Sequence, residues 1–68
     1  MDIKILVGKR VKELRNTIGI SQEELAARAE LDRTYITSVE CGKRNISIVN
    51  IERLANALKV SLHEFFNF

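Results

Sequence analysis

Apolar residues along this chain fall at helical spacing. Ile3, Val7, Val11, Leu14 and Ile18 step by four, four, three and four, forming one stripe on a helix of about residues 3–18. Gly19 follows, a residue able to take the left-handed conformation that commonly closes a helix. Beyond it a short pattern recurs: an apolar residue, then Ser or Asp, then a second apolar residue four positions after that cap. Ile20-Ser21 with Leu25, Leu31-Asp32 with Ile36, Ile46-Ser47 with Ile51, and Val60-Ser61 with Phe65 all fit it. The cap side chain accepts a hydrogen bond from an otherwise orphaned helix N–H, and the apolar pair clamps the entering chain against the first turn. Glu24 and Glu64 stand third in their helices, where a capping box places an acid. Helices are therefore predicted near 22–29, 33–41, 48–58 and 62–67. No alternating run suggests a strand and there is no proline. The expected fold is all-α, a compact five-helix bundle forming one domain over residues 1–68.

Size changes what that bundle needs. A chain of 68 residues buries a limited fraction of its surface and is marginal as a monomer. Cys41 is the only cysteine and His63 the only histidine, so an internal disulfide is impossible and a Cys/His metal cage is not expected. No cofactor is expected either. Self-association remains as the reinforcement. Phe65 is claimed by its clamp and hence by the core, whereas Leu62, Phe66 and Phe68 exceed what so small a domain easily buries. They are expected to form a homodimer interface; that they cap the domain's own core is the plainer alternative, and the size argument favours the interface. With 46% hydrophobic and 29% charged residues, the chain suits a soluble globular domain. No apolar run reaches transmembrane length and the first residues lack a signal-peptide layout, so no membrane association and a cytoplasmic location are expected.

The net charge of +2 says little about partners. Its layout says more: Lys4, Lys9, Arg10, Lys12 and Arg15 crowd the first segment, Lys43 and Arg44 sit together later, and Glu23, Glu24 and Glu30 gather between them. Only Glu30, Leu31 and Asp32 separate the second and third predicted helices. Two short helices joined by so tight a turn form a helix-turn-helix, whose second helix can enter a DNA major groove. Ala26 is small where the two helices must approach, and Leu25, Ala29, Leu31, Ile36 and Val39 are apolar where the unit must face a core. On the third helix Ile36 and Val39 point inward, leaving Arg33, Thr34, Thr37 and Ser38 on an outer stripe without a carboxylate. Arginine can grip the O6/N7 edge of guanine, and threonine offers a hydroxyl and a methyl to bases.

The run SQEELAARAELDRTYITSVECGKRN resembles the helix-turn-helix of phage repressors and Cro proteins, a lambda-repressor-like DNA-binding domain. The likeness extends from GKRVKELRNTIG to LANALKVSLHEFF, nearly the whole chain. Within that class, LDRTYI followed by GKRN is similar to the controller proteins of restriction–modification systems. The resemblance implies a small cytoplasmic homodimer that binds paired palindromic operators in double-stranded DNA, first activating and then repressing its own gene and the endonuclease gene. It implies that Arg33 and Thr34 reach base edges, with Thr37 and Ser38 as further readers. Gln22 would bind a phosphate and brace the recognition helix, while Tyr35, Lys43, Arg44 and Asn45 would contact phosphate or bases at the flank. Arg15 and Glu40 match a buried ion pair tying the first helix to the third. Two positions depart from the class. Glu30 stands where the turn usually has Gly, at a cost of about 1 kcal/mol if left-handed, and Ile46 stands where Pro is frequent.

Other readings are weaker. Glu23, Glu24 and Glu30 could touch RNA polymerase, but a capping Glu24 beside solvated neighbours is the plainer account. Cys41 is a lone thiol with no assigned role, and His63 is expected to be exposed. An antitoxin or a protein-binding adaptor on the same fold remains an alternative; antitoxins usually append a toxin-binding arm. An enzyme fits worst, since no nucleophile–base pair, metal set or phosphate loop is present in the sequence.

Overall fold

The computed structural model describes residues 2–68. All five predicted helices form: α1 Ile3–Thr17, α2 Gln22–Ala29, α3 Arg33–Glu40, α4 Ile48–Ala57 and α5 Leu62–Phe65. No strand occurs among the described residues. Four of the helices stop one or two residues before their predicted ends, because Ile18, Cys41, Leu58 and Phe66 serve as C-caps.

Ser21, Ser47 and Ser61 each accept a hydrogen bond from the backbone N–H three residues on, at 3.0–3.1 Å. Asp32 does not; its side chain makes no capping bond, and α3 opens on its carbonyl, which accepts from Tyr35 and Ile36. Asp2, absent from the predicted series, caps α1 through Lys4 N at 3.0 Å. Neither predicted capping box closes. The Glu24 carboxylate turns to Arg28 at 2.9 Å and that of Glu64 to Arg10 at 3.0 Å, since a guanidinium is a stronger donor than a backbone N–H.

The helix ends share a second device, anticipated in the sequence at Gly19 and Glu30 but not at Gly42 and Lys59. Gly19, Glu30, Gly42 and Lys59 all take positive φ, between 57° and 74°. Around each, paired backbone bonds satisfy the last carbonyls of the preceding helix; Gly19 N to Asn16 O and Ile20 N to Arg15 O close α1, for example, and Glu30 N to Ala27 O and Leu31 N to Ala26 O close α2. Ile20, Leu31 and Val60 therefore each close one helix and clamp the start of the next. All three pack on the core.

That core gathers Val7, Val11 and Leu14 from α1, Leu25, Ala26 and Ala29 from α2, Ile36 and Val39 from α3, Leu54 and Ala55 from α4, and Phe65 from α5. The predicted α1 stripe is interior only in its middle. Ile18 lies past the last helical residue and Ile3 in the first turn, 55% exposed. Gly8 decides how closely α1 meets α3: a Cβ there would lie 2.2 Å from the Val39 carbonyl oxygen.

α5 has four residues, too few to persist alone. Arg10 of α1 holds it, donating Nε to Phe65 O at 3.0 Å and Nη2 to Glu64 O at 2.7 Å, with Glu13 as a further partner.

Candidate nucleic-acid interface

α3 is bound on its inner side and free on its outer side. Ile36 and Val39 are buried against α1 and α2, which fixes the helix's rotation. Arg33, Thr34, Thr37 and Ser38 then line one shallow concavity, joined by Cys41 and Lys43 from the segment that follows. None of the six is a carboxylate. The tight turn from α2 passes through Glu30 at φ 57°, ψ 42°, so the glutamate does adopt the left-handed conformation usual for glycine.

Behind the concavity lies a polar network. Arg15 grips Glu40 in two places, Nε to Oε2 at 2.7 Å and Nη2 to Oε1 at 3.0 Å, and donates Nη1 to Ile20 O at 2.9 Å. The two side chains are only 12% and 4% exposed. The hydrogen bonds to Glu40 raise the Arg15 pKa above the ordinary guanidinium value, and desolvation opposes them. Gln22, opening α2, donates Nε2 to Glu40 Oε1 at 3.0 Å and accepts from Thr37 Oγ1 at 3.1 Å. One continuous set of bonds thus joins α1, α2 and α3 and surfaces at Thr37. The spacing of these residues in sequence gives no hint of the Gln22–Glu40 link.

The flanking residues divide. Lys43 lies on the concavity and is exposed. Arg44 folds back against α3, its guanidinium 4.6 Å above the Tyr35 ring and its Nε donating to Ser38 Oγ at 3.2 Å. Tyr35 is half-buried and its hydroxyl accepts from Asn50 Nδ2 at 3.1 Å, which anchors α3 to α4. Asn45 lies apart from the recognition stripe, in a cleft shared with Ile3, Ile46, Ile51 and Phe66.

The family model described as "Helix-turn-helix" matches residues 11–65. The chain belongs to the helix-turn-helix family. Within that family it is 48% identical over 67 residues to the control protein C.MunI of a Mycoplasma species, covering 97% of this chain and 90% of that one. Its fold superimposes on the restriction–modification controller protein C.AhdI of Aeromonas hydrophila with a TM-score of 0.92 at 45% identity, over 97% of this chain and 100% of the other. It also matches C.Esp1396I, a controller protein solved as a tetramer in complex with its natural 35 base-pair operator, with a TM-score of 0.91 at 36% identity over 97% and 87% of the two chains. The likeness to helix-turn-helix repressors is thus a family membership over residues 11–65, and the controller-protein relatives cover 97% of the chain.

As in the sequence reading, Leu62 and Phe66 (each 41% exposed) and Phe68 (55%) stand at the surface around α5. Phe66 leans edge-on against buried Phe65, with ring centroids 5.1 Å apart, and Phe68 follows at 6.2 Å from Phe66. Ile48 and Val49, in the first turn of α4, are also exposed and were not singled out by the sequence. Of the acidic trio, all three are exposed; Glu24 pairs with Arg28 at 2.9 Å, and the Glu30 backbone is left-handed. Among the described residues, no helix is long and apolar enough to cross a membrane.

Proposed function

We propose that the chain is a sequence-specific DNA-binding regulator of the restriction–modification controller type, working in the cytoplasm as a homodimer on palindromic operators. The observation that carries this is the carboxylate-free concave face of α3, presented by a tight two-helix turn. In this reading α3 enters the major groove, Arg33 and Thr34 read base edges, and Thr37 and Ser38 lie beside them. Lys43 and Arg44 hold the phosphate backbone, Arg44 after leaving Tyr35, and Gln22 braces α3 while offering the second hydrogen of its Nε2 to a phosphate. Leu62, Phe66 and Phe68 join two copies so that their recognition helices stand about one DNA turn, roughly 34 Å, apart. The operator complex of C.Esp1396I supports this geometry by analogy. So does the relationship to controller proteins for the dual activation and repression of an endonuclease operon.

The test separates phosphate holding from base reading. Duplexes selected by the protein from a randomised library are compared with scrambled ones at several salt concentrations. Lys43→Ala weakens both alike and lowers the salt slope by about 1. Arg33→Ala costs about 1–3 kcal/mol on the selected duplex alone, concentrated at one guanine. Equal losses on both duplexes from Arg33→Ala would make it a phosphate clamp and overturn the assignment.

A further inference from the structure

The polar network behind α3 sets a direction for the hydrogen bonds that reach its surface. Glu40, as the carboxylate of the Arg15 pair, can only accept. Its Oε1 lies 3.0 Å from Gln22, so the Gln22 amide must turn its nitrogen inward and its carbonyl oxygen outward. That oxygen meets Thr37 Oγ1 at 3.1 Å, and an acceptor in that position requires the hydroxyl to donate. The other inward neighbour of the hydroxyl is the Arg33 carbonyl, also at 3.1 Å and also an acceptor. Whichever of the two it chooses, the single Thr37 proton points into the protein. What the exposed side of this hydroxyl offers the concavity is lone pairs.

We propose that Thr37 reads DNA as a hydrogen-bond acceptor, selecting a base pair that directs an exocyclic amino group, adenine N6 or cytosine N4, toward it. The inference rests on the reading of α3 as the recognition helix. In the major groove those amino groups are the only donors, whereas guanine N7 and O6, adenine N7 and thymine O4 all accept. Arg33, which can only donate, and Thr37, one helical turn away, are thus complementary: one takes an acceptor edge and the other a donor. Ser38 can share the role only once Arg44 has left it. Its hydroxyl donates to Tyr35 O at 2.8 Å and is itself covered by Arg44 at 3.2 Å. Glu40 and Gln22 are positioning residues here, acting on the base through the proton of Thr37.

The experiment is a cycle between protein and base. Wild type and Thr37→Val, which keeps the shape and methyl of an exposed residue, are measured on selected duplexes carrying single base analogues. Adenine is replaced by purine and cytosine by 2-pyrimidinone to delete the amino group; 7-deaza purines delete N7. At one base pair per half-site, losing the amino group weakens wild-type binding about fivefold and weakens Thr37→Val no further. Coupling to a 7-deaza position instead, or to no position, overturns the proposal. In a second variant, Glu40→Gln, the new amide can donate to Gln22 and let its amide turn over. The Thr37 coupling to the amino group then shrinks; full retention of that coupling would show that the network does not set the direction. If the wild type enriches no duplex at all, the DNA-binding reading falls with it. Enrichment without Thr37 coupling removes this inference alone.

Discussion

Replacing Arg15 by methionine breaks a largely buried ion pair from one side. The substitution removes both donors from Glu40 and leaves a carboxylate with 4% exposure and one remaining partner, Gln22. It also strips the Ile20 carbonyl of its side-chain donor. Breaking a buried pair from one side costs about 3–5 kcal/mol, because the surviving charge is stranded. A domain of this size has a total stability of about 3–10 kcal/mol at roughly 0.05–0.15 kcal/mol per residue. Arg15→Met is therefore expected to remove about a third or more of the stability, seen as a large fall in the urea midpoint. Removing both charges should hurt less, since Arg15→Met combined with Glu40→Leu strands nothing and replaces the pair with apolar volume. Urea unfolding followed by far-ultraviolet circular dichroism, on both single variants and the double variant, gives the coupling energy directly. Contacting charges of this kind couple by about 0.5–3 kcal/mol. Additive losses, or an Arg15→Met loss below about 1 kcal/mol, would show that the pair behaves as a surface ion pair and refute the reasoning.

Other substitutions test separate features. Gly8→Ala puts a methyl 2.2 Å from the Val39 carbonyl, forcing α1 from α3; overpacking of this sort costs about 1–3 kcal/mol, read as a lowered urea midpoint. Lys59 takes φ 63° with a side chain exposed to solvent, so Lys59→Gly relieves strain and should raise stability by about 1 kcal/mol. On a domain this small that is a rise in Tm of about 4–8 °C; a fall would mean the turn is not strained. Phe66→Asp should shift sedimentation from dimer to monomer at concentrations where the wild type is paired, with the circular dichroism unchanged.

The elements were legible because each announces itself locally. Ser21, Ser47 and Ser61 cap where an apolar–Ser pair stands before a helical stripe, and the stripe on α3 divides inner from outer residues without reference to the rest of the chain. What escaped is non-local or hidden in a small side chain. Gly8 looks like an ordinary helical glycine until α3 is laid across it, and nothing at Arg10 signals that its guanidinium will hold carbonyls 54 and 55 positions away. The Asp32 cap was expected from residue type, yet its backbone alone starts the helix. Closing of α4 at Lys59 was invisible for the opposite reason: a lysine at a left-handed position contradicts local preference and is tolerated because the paired bonds around it hold.

The same pairing gives the recognition helix an independence from its own outer face. Between Asp32 and Gly42 its ends are sealed by main-chain bonds, and its rotation is fixed by Ile36 and Val39. Arg33 and Thr34 contribute to neither. Those two positions can be exchanged for other residues while the scaffold stays as it is, so on the proposed reading a library randomised there should sample new operator preferences from a uniformly folded population. Thr37 is different. Its hydroxyl is tied to Gln22, and retargeting at that position requires redesigning Gln22 and Glu40 with it. Length is constrained in the same way. The α2–α3 turn has no residue to spare, whereas the stretch from Lys43 to Ile46 carries no left-handed closure of its own, so insertions that preserve the fold belong there.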